Sequence, residues 1–380
     1  MNDLHQKLYN NLVHLADNHE SFYYTDQVLS GYTYRIFNYR LASYSQWLEP
    51  GAIESRGITF LVDHSGHNAK ALALVSWPFE KFFNLHENPL TMDLDLADPL
   101  EIQDKMDGSL ISTMYMVSES RVWLKSKGSL FSEQAMAAMR LLETPKYTAL
   151  RELIDNLVMT MDYTVIMEYT APDNRIVVGY DEPALTVLAI RDNVTGEYIP
   201  LDTYAEDDAS EFFVRDITRE VGDVNAFVEG ITDIQGMEGY IIKLRTGQRV
   251  KIKSEWYLKL HHIKDSINSP RRLFEAVVYD TVDDIRASFW DDENALKIID
   301  AMAELVSKHY NHMVDTVERF YERNKHLERK DYAILGQKEL ESTHFGLAMS
   351  KYIGREVDYR ATMVKNRKQY GIKDDPETEE

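Results

Sequence analysis

The sequence has no cysteine among its 380 residues, which excludes structural disulfides, thiol catalysis and cysteine-ligated metal centres. A reducing, intracellular compartment suits such a chain. It also lacks any uninterrupted apolar run long enough for a membrane span. Its first residues, Met1-Asn2-Asp3-Leu4-His5-Gln6-Lys7, do not follow the basic-then-apolar order of a signal peptide. Positive charge is scarce: 42 Lys and Arg stand against 63 Asp and Glu, a net charge of −21. That balance argues against a general nucleic-acid coat, which normally carries a basic excess. It leaves room for an enzyme with a basic cleft in an acidic body, because the local field is what a phosphate meets. The acidic runs at Asp93–Asp98, Glu206–Asp208, Asp280–Asp284, Asp291–Glu293 and Asp374–Glu380 are read as solvated surface.

What the chain does have is a particular stretch, Asp104-Lys105-Met106-Asp107-Gly108-Ser109, leading into the strand-like run Leu110–Val117. A lysine beside Asp-Gly is usually a surface turn. It can also be a nucleophile, because glycine lets backbone and phosphate approach closely, and a neutral amine attacks. A hairpin is expected next, with Arg121–Ser126 as its second strand; Lys125 and Lys127, two apart, then share a face. Helices are expected over residues 1–20, Ser132–Leu142 and Arg151–Met159, and a mixed, mainly helical segment over Glu211–Val228. Tyr163–Thr170 reads as a strand whose only charge is Glu168, and Leu185–Arg191 as another. Glu238-Gly239 opens a strand to Lys243, and Arg249–Lys253 follows, with Lys251 and Lys253 on one face. Glu80 and Lys81 stand inside the aromatic segment Trp77–Asn84. Beyond His262 the pattern is helical: Pro270–Val282, Asp284–Phe289, Glu293–Arg323 and Asp331–Tyr352.

A turn lysine, paired strand lysines, a lone strand glutamate, Glu-Gly and Lys-x-Lys together suit the transfer of a nucleoside monophosphate. Cations hold phosphate oxygens and stabilise charge that develops on phosphorus. Carboxylates hold Mg²⁺. Neighbouring cations are expected to lower the pKa of Lys105. His309 and His312 form a pair at helical spacing, with a solvated face as the better reading. Asp283 and Asp284 read either as ligands of a divalent ion or as acids at a helix N-terminus.

This order resembles the covalent nucleotidyltransferases, the polynucleotide ligases and mRNA capping enzymes. More closely, Tyr34-Arg35-Ile36-Phe37, Ala42-Ser43-Tyr44-Ser45, Arg56-Gly57-Ile58, Glu80-Lys81-Phe82-Phe83-Asn84-Leu85, Lys125-Ser126-Lys127-Gly128-Ser129 and Lys251-Ile252-Lys253-Ser254-Glu255-Trp256-Tyr257 resemble the bacteriophage RNA ligase 1 family. The resemblance runs to about residue 262. It is thinner beyond, where Ser266–Pro270, Leu273-Phe274 and Asp283-Asp284 still fit. It implies an α+β fold: a nucleotidyltransferase domain of ATP-grasp-like antiparallel sheets over residues 1–262, with a family-specific part over about 1–90. An all-helical RNA-specificity domain would follow over 263–371 in place of an OB-fold, then an acidic tail over 372–380.

The resemblance implies Lys105 as the nucleophile that becomes lysyl-AMP. Arg56 and Lys81 would hold the ATP phosphates, Lys127 would lie near the sugar and Lys105, and Lys125 beside it in the same block. Glu168 would meet metal or ribose, Glu238 and Gly239 the nucleotide, Lys251 and Lys253 the α-phosphate, and Tyr39 the nucleotide. Met106 departs from the family's common glutamate, and its backbone is left to read adenine. The implied reaction is ATP-dependent joining of a 5′-phosphate to a 3′-hydroxyl on RNA, with Mg²⁺ or Mn²⁺. The implied setting is repair of tRNA nicked in the anticodon loop, by a monomer in the cytoplasm of an infected bacterium. A guanylyltransferase using GTP and a non-catalytic RNA-binding protein of ligase-like fold are the alternatives. A helical rather than OB-fold C-terminal part weighs against the first, and a full set of cations against the second.

Overall fold

The structure is a computed structural model, described here for residues 1–174, 178–231, 234–260, 267, 269–290 and 292–373. The acidic tail from residue 374, together with Ser266 and Asn268 of the Ser266–Pro270 block, lies outside the described residues. The chain divides into two compact units, Met1–His261 and His262–Glu380. Among the described residues no helix is long and apolar enough to cross a membrane.

The first unit is built on three sheets. The N-terminal sheet is an antiparallel meander of β1 (Phe22–Leu29), β2 (Tyr32–Tyr39), β3 (Thr59–Val62) and β4 (Ala71–Ser76). Helix α1 (Asp3–Asn18), capped by Asn2, lays Leu8, Tyr9 and Leu12 on this sheet against Phe37, Phe60 and Trp77. These apolar positions recur at helical spacing, which is why the segment folds as one amphipathic helix. Tyr34, Ile36, Leu61 and Val75 pack instead with Met114, Met116 and Leu130, joining the first sheet to the second.

The second sheet has the order β11-β10-β9-β7-β8, from β7 (Ser109–Met116), β8 (Arg121–Ser126), β9 (Tyr163–Thr170), β10 (Ala184–Asp192) and β11 (Tyr198–Ile199). Helices α3 (Glu133–Leu142) and α4 (Thr148–Met159) bury Ala135, Leu150, Ile154 and Leu157 against Ile111, Val165 and Met167 of this sheet. The third sheet has the order β5-β13-β12-β6, from β5 (Phe83–Asn84), β6 (Pro99–Lys105), β12 (Gly239–Leu244) and β13 (Arg249–Lys253). One face of it packs Ile102, Ile242, Val250 and Ile252 against Ile217, Val224 and Ile231. The other face presents the alternate residues of β13, Arg249, Lys251 and Lys253.

The segment expected to be mixed and mainly helical over Glu211–Val228 is α-helical only at Val224–Gly230, its first two residues closing the 3₁₀ helix Asp208–Phe212. Before that it runs along open strand edges: Asp216 bridges Gln103, Phe213 bridges Val187, and the amides of Asp104 and Ile217 donate to Arg215 and Ile102. β6 ends its sheet, so an adjacent extended segment satisfies its outward backbone groups better than a helix could.

The second unit is helical throughout its described residues, with Pro270–Val278, Val282–Ser288, Glu293–Asn324, Arg329–Glu339, Ser342–Tyr352 and Tyr359–Lys365. No strand occurs among the described residues after Lys253, so an α+β first unit and an all-helical second one match the expectation. The helix expected over Pro270–Val282 stops at Val278, and Asp280 takes φ +62. The run Asp331–Tyr352 is two helices, separated where Leu340 turns extended.

Candidate active site

β6 ends at Lys105 in the third sheet, and four residues later β7 begins in the second. The nucleophile candidate therefore stands where the chain crosses between sheets. Gly239 is the cross-strand partner of Lys105 on one side and of Lys253 on the other. Directly opposed residues project to the same face, so the two lysines flank a position without a side chain. A Cβ on Gly239 would lie 2.0 Å from the Ile252 carbonyl oxygen, and its φ is +149. Only glycine fits there.

The preceding residue, Glu238, fills the gap between the ammonium groups. Lys105 Nζ donates to its Oε2 at 2.5 Å, and Lys253 Nζ lies 2.9 Å from its Oε1. Burial works to raise the Glu238 carboxyl, but the Lys105 and Lys253 charges and hydrogen bonds outweigh it and hold the group below its ordinary value. The contact partner of Lys105 is thus a carboxylate, where crowding by cations was expected from the sequence.

The loop after Lys105 is held from both sides. Asp107 is buried; its Oδ2 accepts from the Val178 amide at 2.7 Å and its Oδ1 from the Tyr257 hydroxyl at 3.1 Å. The Asp107 amide donates to Tyr180 Oη at 3.1 Å. Tyr257 belongs to α6 (Glu255–Leu260), which follows the Lys251-x-Lys253 strand directly, so one hydroxyl ties the first motif to the last. At Gly108 a Cβ would meet the Tyr169 carbonyl oxygen at 2.3 Å. The same close approach lets the Gly108 amide donate to Glu168 Oε1 at 3.1 Å. Burial pushes the Glu168 carboxyl up to about 8, against the pull of Lys105 and Arg56 and with the push of Glu238.

On the side of the N-terminal sheet, Tyr39 at the end of β2 carries Lys127 Nζ 4.5 Å from its ring centroid and Lys81 Nζ at 5.6 Å. Both distances suit cation–π contact, which orients an ammonium while leaving its donors open to other acceptors. Arg56 lies beside Phe82, with its Cζ 5.8 Å from the ring, and its buried Nη1 has no hydrogen-bond partner among the described residues. An unpaired buried guanidinium donor is costly, and a phosphate oxygen is the acceptor its fork suits best. Lys251 Nζ lies 5.9 Å from the same Phe82 ring.

Lys125 is the exception in this group. It is fully buried and donates to the Gly57 carbonyl at 2.8 Å, and burial alone pulls its ammonium down to about 7. Its position is beneath the Arg56-Gly57 turn, as a support. β8 ends at Ser126, so Lys127 lies just past the strand, its carbonyl accepting from Asn38 Nδ2 at 3.0 Å.

Met106 is half-buried in the loop. Asp283 and Asp284 occupy the first turn of the helix Val282–Ser288 in the second unit, the placement that favours acids at a helix N-terminus. His309 faces Tyr370 at 5.1 Å and His312 faces His344 at 5.9 Å. Among the described residues no group of three or more His, Asp or Glu is arranged to hold a metal ion. The sequence reasoning missed Asp107, Tyr180 and Tyr257 as the clamp on the nucleophile loop. The Asp-Gly step marked a turn, but no local pattern names a partner 150 residues away.

The chain is similar to known proteins over both of its units. The family model described as RNA ligase matches residues 54–261, and the model for the C-terminal domain of T4 RNA ligase 1 matches residues 264–375. A putative RNA ligase of Thermovibrio ammonificans is 29% identical over 66% of this chain and 64% of its own length. RNA ligase 1 of bacteriophage TS2126 is 28% identical over 66% of this chain and 62% of its own. The chain thus spans less than two thirds of the length of either relative. Among solved structures, an archaeal ATP-dependent RNA ligase aligns with a TM-score of 0.46 at 14% identity, covering 85% of this chain and 82% of that one.

Proposed function

The chain belongs to the RNA ligase family, and we propose that it is an ATP-dependent RNA ligase working through a lysyl-AMP intermediate. The observation that carries this reading is the row Lys105–Gly239–Lys253 with Glu238 between its two ammonium groups. In the proposed reaction Lys105 Nζ attacks the α-phosphorus of ATP as the bond to the pyrophosphate oxygen breaks. An ion-paired ammonium has no lone pair to give, so attack follows the opening of the Lys105–Glu238 pair and loss of a proton from Nζ. Lys251 and Lys253 lie on the face where negative charge would build, and Arg56 and Lys81 would draw off pyrophosphate. AMP then passes from Nζ to the 5′-phosphate of an RNA strand, forming a 5′–5′ anhydride. A 3′-hydroxyl attacks that phosphate, a 3′–5′ phosphodiester forms and AMP leaves.

A divalent ion, Mg²⁺ or Mn²⁺, would be held with Glu168 as its protein ligand, supplying positive charge to phosphate oxygens. The fit rests on a carboxyl that burial, helped by the nearby Glu238, keeps protonated near neutral pH, and that a cation would ionise. We further propose repair of cleaved tRNA in an infected bacterium, by a monomer, as the natural setting; the phage relative supports the infected-cell part of that reading.

Incubation with α-labelled ATP and the metal ion, beside α-labelled GTP and a Lys105→Ala variant, tests the proposal on a denaturing gel. Protein-bound label from ATP alone, absent in the variant, is the expected result. Label from GTP would turn the reading to capping. No label from folded protein across a range of pH would leave a non-catalytic RNA-binding protein.

A further inference from the structure

Glu54 and Glu80, close in the chain to Arg56 and Lys81, belong to a second cluster of charge. Arg191, near the end of β10, extends its guanidinium into the space between two loops. Its Nη2 donates to Glu54 Oε1 at 2.7 Å, and its Nη1 to Glu54 Oε2 at 2.9 Å and to the Pro78 carbonyl at 2.8 Å. Its Nε donates to the Gly196 carbonyl at 2.8 Å. Glu80 lies 3.5 Å from the same guanidinium and 3.4 Å from Arg249 Nη1, and accepts a short hydrogen bond from the Tyr198 hydroxyl. Trp77 Nε1 donates to Glu54 at 2.8 Å, and the Arg249 guanidinium lies over the Tyr198 ring at 3.8 Å. The side chains of Arg191 and Arg249 are only 6% and 2% exposed.

Buried ion pairs of this kind contribute little net stability compared with apolar packing, yet they fix geometry closely. What this one fixes is specific. Glu54 is two residues before Arg56, and Glu80 is one before Lys81. Beside the cluster the two loops are also tied directly, the Lys81 amide donating to the Ile53 carbonyl at 2.7 Å. Arg249 begins the strand face that continues through Lys251 and Lys253.

We propose that Arg191 is a positioning residue: by holding Glu54 and Glu80 together it sets the spacing and aim of Arg56 and Lys81 toward the nucleotide's leaving pyrophosphate. It touches neither nucleotide nor RNA itself. The inference rests on the reading of Arg56 and Lys81 as phosphate ligands. On that reading Arg191 matters when pyrophosphate is present and not when the strand is sealed, since pyrophosphate has left by then.

Arg191→Lys keeps the charge and loses the fork, and Tyr198→Phe removes one hydrogen bond to Glu80 while keeping the ring. Each is compared with wild type in two reactions: lysyl-AMP formation over a range of ATP, and ATP-free sealing of RNA already carrying a 5′-adenylate. Thermal midpoints are followed alongside. The expected result is a loss of about tenfold or more in kcat/KM for ATP with Arg191→Lys, smaller with Tyr198→Phe, with sealing within about twofold of wild type. Equal loss in both reactions, tracking a lower midpoint, would overturn the proposal in favour of general support. Unchanged lysyl-AMP formation in both variants, while Arg56→Ala and Lys81→Ala are impaired, would also overturn it. If Arg56→Ala and Lys81→Ala are themselves silent, the phosphate reading fails and this inference falls with it.

Discussion

Lys105 and Lys253 stand on strands separated by β12, each opposite Gly239, and the two ammonium groups share one carboxylate, that of Glu238. Neither the pairing nor the sharing is possible with a side chain at Gly239. Two cations are thus held at one end of a sheet by a single buried acid, and a phosphate entering there meets an organised pair.

Glu238→Gln keeps the volume and removes the charge that holds both lysines. Their ammonium groups then face an amide that can accept from one and presents a donor to the other. Breaking a buried ion pair from one side costs about 3–5 kcal/mol, and misplaced phosphate-binding groups cost about 10²-fold in rate. The variant should therefore show a lower urea midpoint and lysyl-AMP formation reduced by about 10²-fold or more. Wild-type rates in the variant would remove Glu238 from the site's organisation.

Gly239→Ala and Gly108→Ala test the close approaches. Each added Cβ would meet a backbone carbonyl oxygen, at 2.0 and 2.3 Å. Backbone cannot move as a flexible side chain can, so strand pairing has to give. Gly128→Ala in the Lys127 loop, where a Cβ meets open space, is the control. Circular-dichroism melts should place the first two well below wild type and the third near it, and equal midpoints for all three would contradict the packing described.

The motif residues were legible because strands declare themselves by period two. Lys251 and Lys253 alternate with Val250 and Ile252, and the burial pattern follows. Glu168 stood out as the single charge in an apolar strand and is indeed buried. Three things were not legible. The bond from Lys105 to Glu238 spans 133 residues, and a local pattern cannot name a partner at that distance. Lys125 and Lys127 look equivalent in sequence, yet one lies under Gly57 and the other over Tyr39. The purpose of Glu80 appeared only when Arg191 and Arg249 were brought to it by two different sheets.

The buried Lys125 gives a pH dependence of defined sign. Its pKa falls from 10.5 to about 7 on burial, so between those values the unfolded chain binds the extra proton. Stability then rises with pH across that window, by up to about 1.4 kcal/mol per pH unit from this group. Glu168, raised from 4.5 to about 8, acts oppositely: its contribution is complete below pH 4.5 and is lost as pH rises to 8. Urea titrations at several pH values should show Lys125→Met flattening the slope above pH 7 and Glu168→Gln flattening it below 8. Parallel curves for wild type and Lys125→Met would show that the lysine keeps its ordinary titration when folded.

Asp107 supplies the last test, because its two oxygens hold different parts of the molecule to the nucleophile loop. One accepts from the Val178 amide, the other from the Tyr257 hydroxyl on the helix after Lys253. Asp107→Asn removes the charge and turns one acceptor into a donor: an amide oxygen can keep the Val178 N–H, and the amide nitrogen can donate to the Tyr257 hydroxyl, which also accepts. Tyr257→Phe removes the hydroxyl that donates to the buried Asp107 Oδ1 and keeps the ring. A hydrogen bond to a charged group contributes about 1.5–3 kcal/mol, so Tyr257→Phe should lower the unfolding free energy by that order and slow lysyl-AMP formation. Asp107→Asn should slow it too, since both hydrogen bonds lose the carboxylate's charge. In the double variant the shared Asp107–Tyr257 contact can be lost only once, so the two losses should combine to less than their sum. Strictly additive losses would mean that Asp107 and Tyr257 act separately, and that the first and last motifs are not coupled through this hydrogen bond.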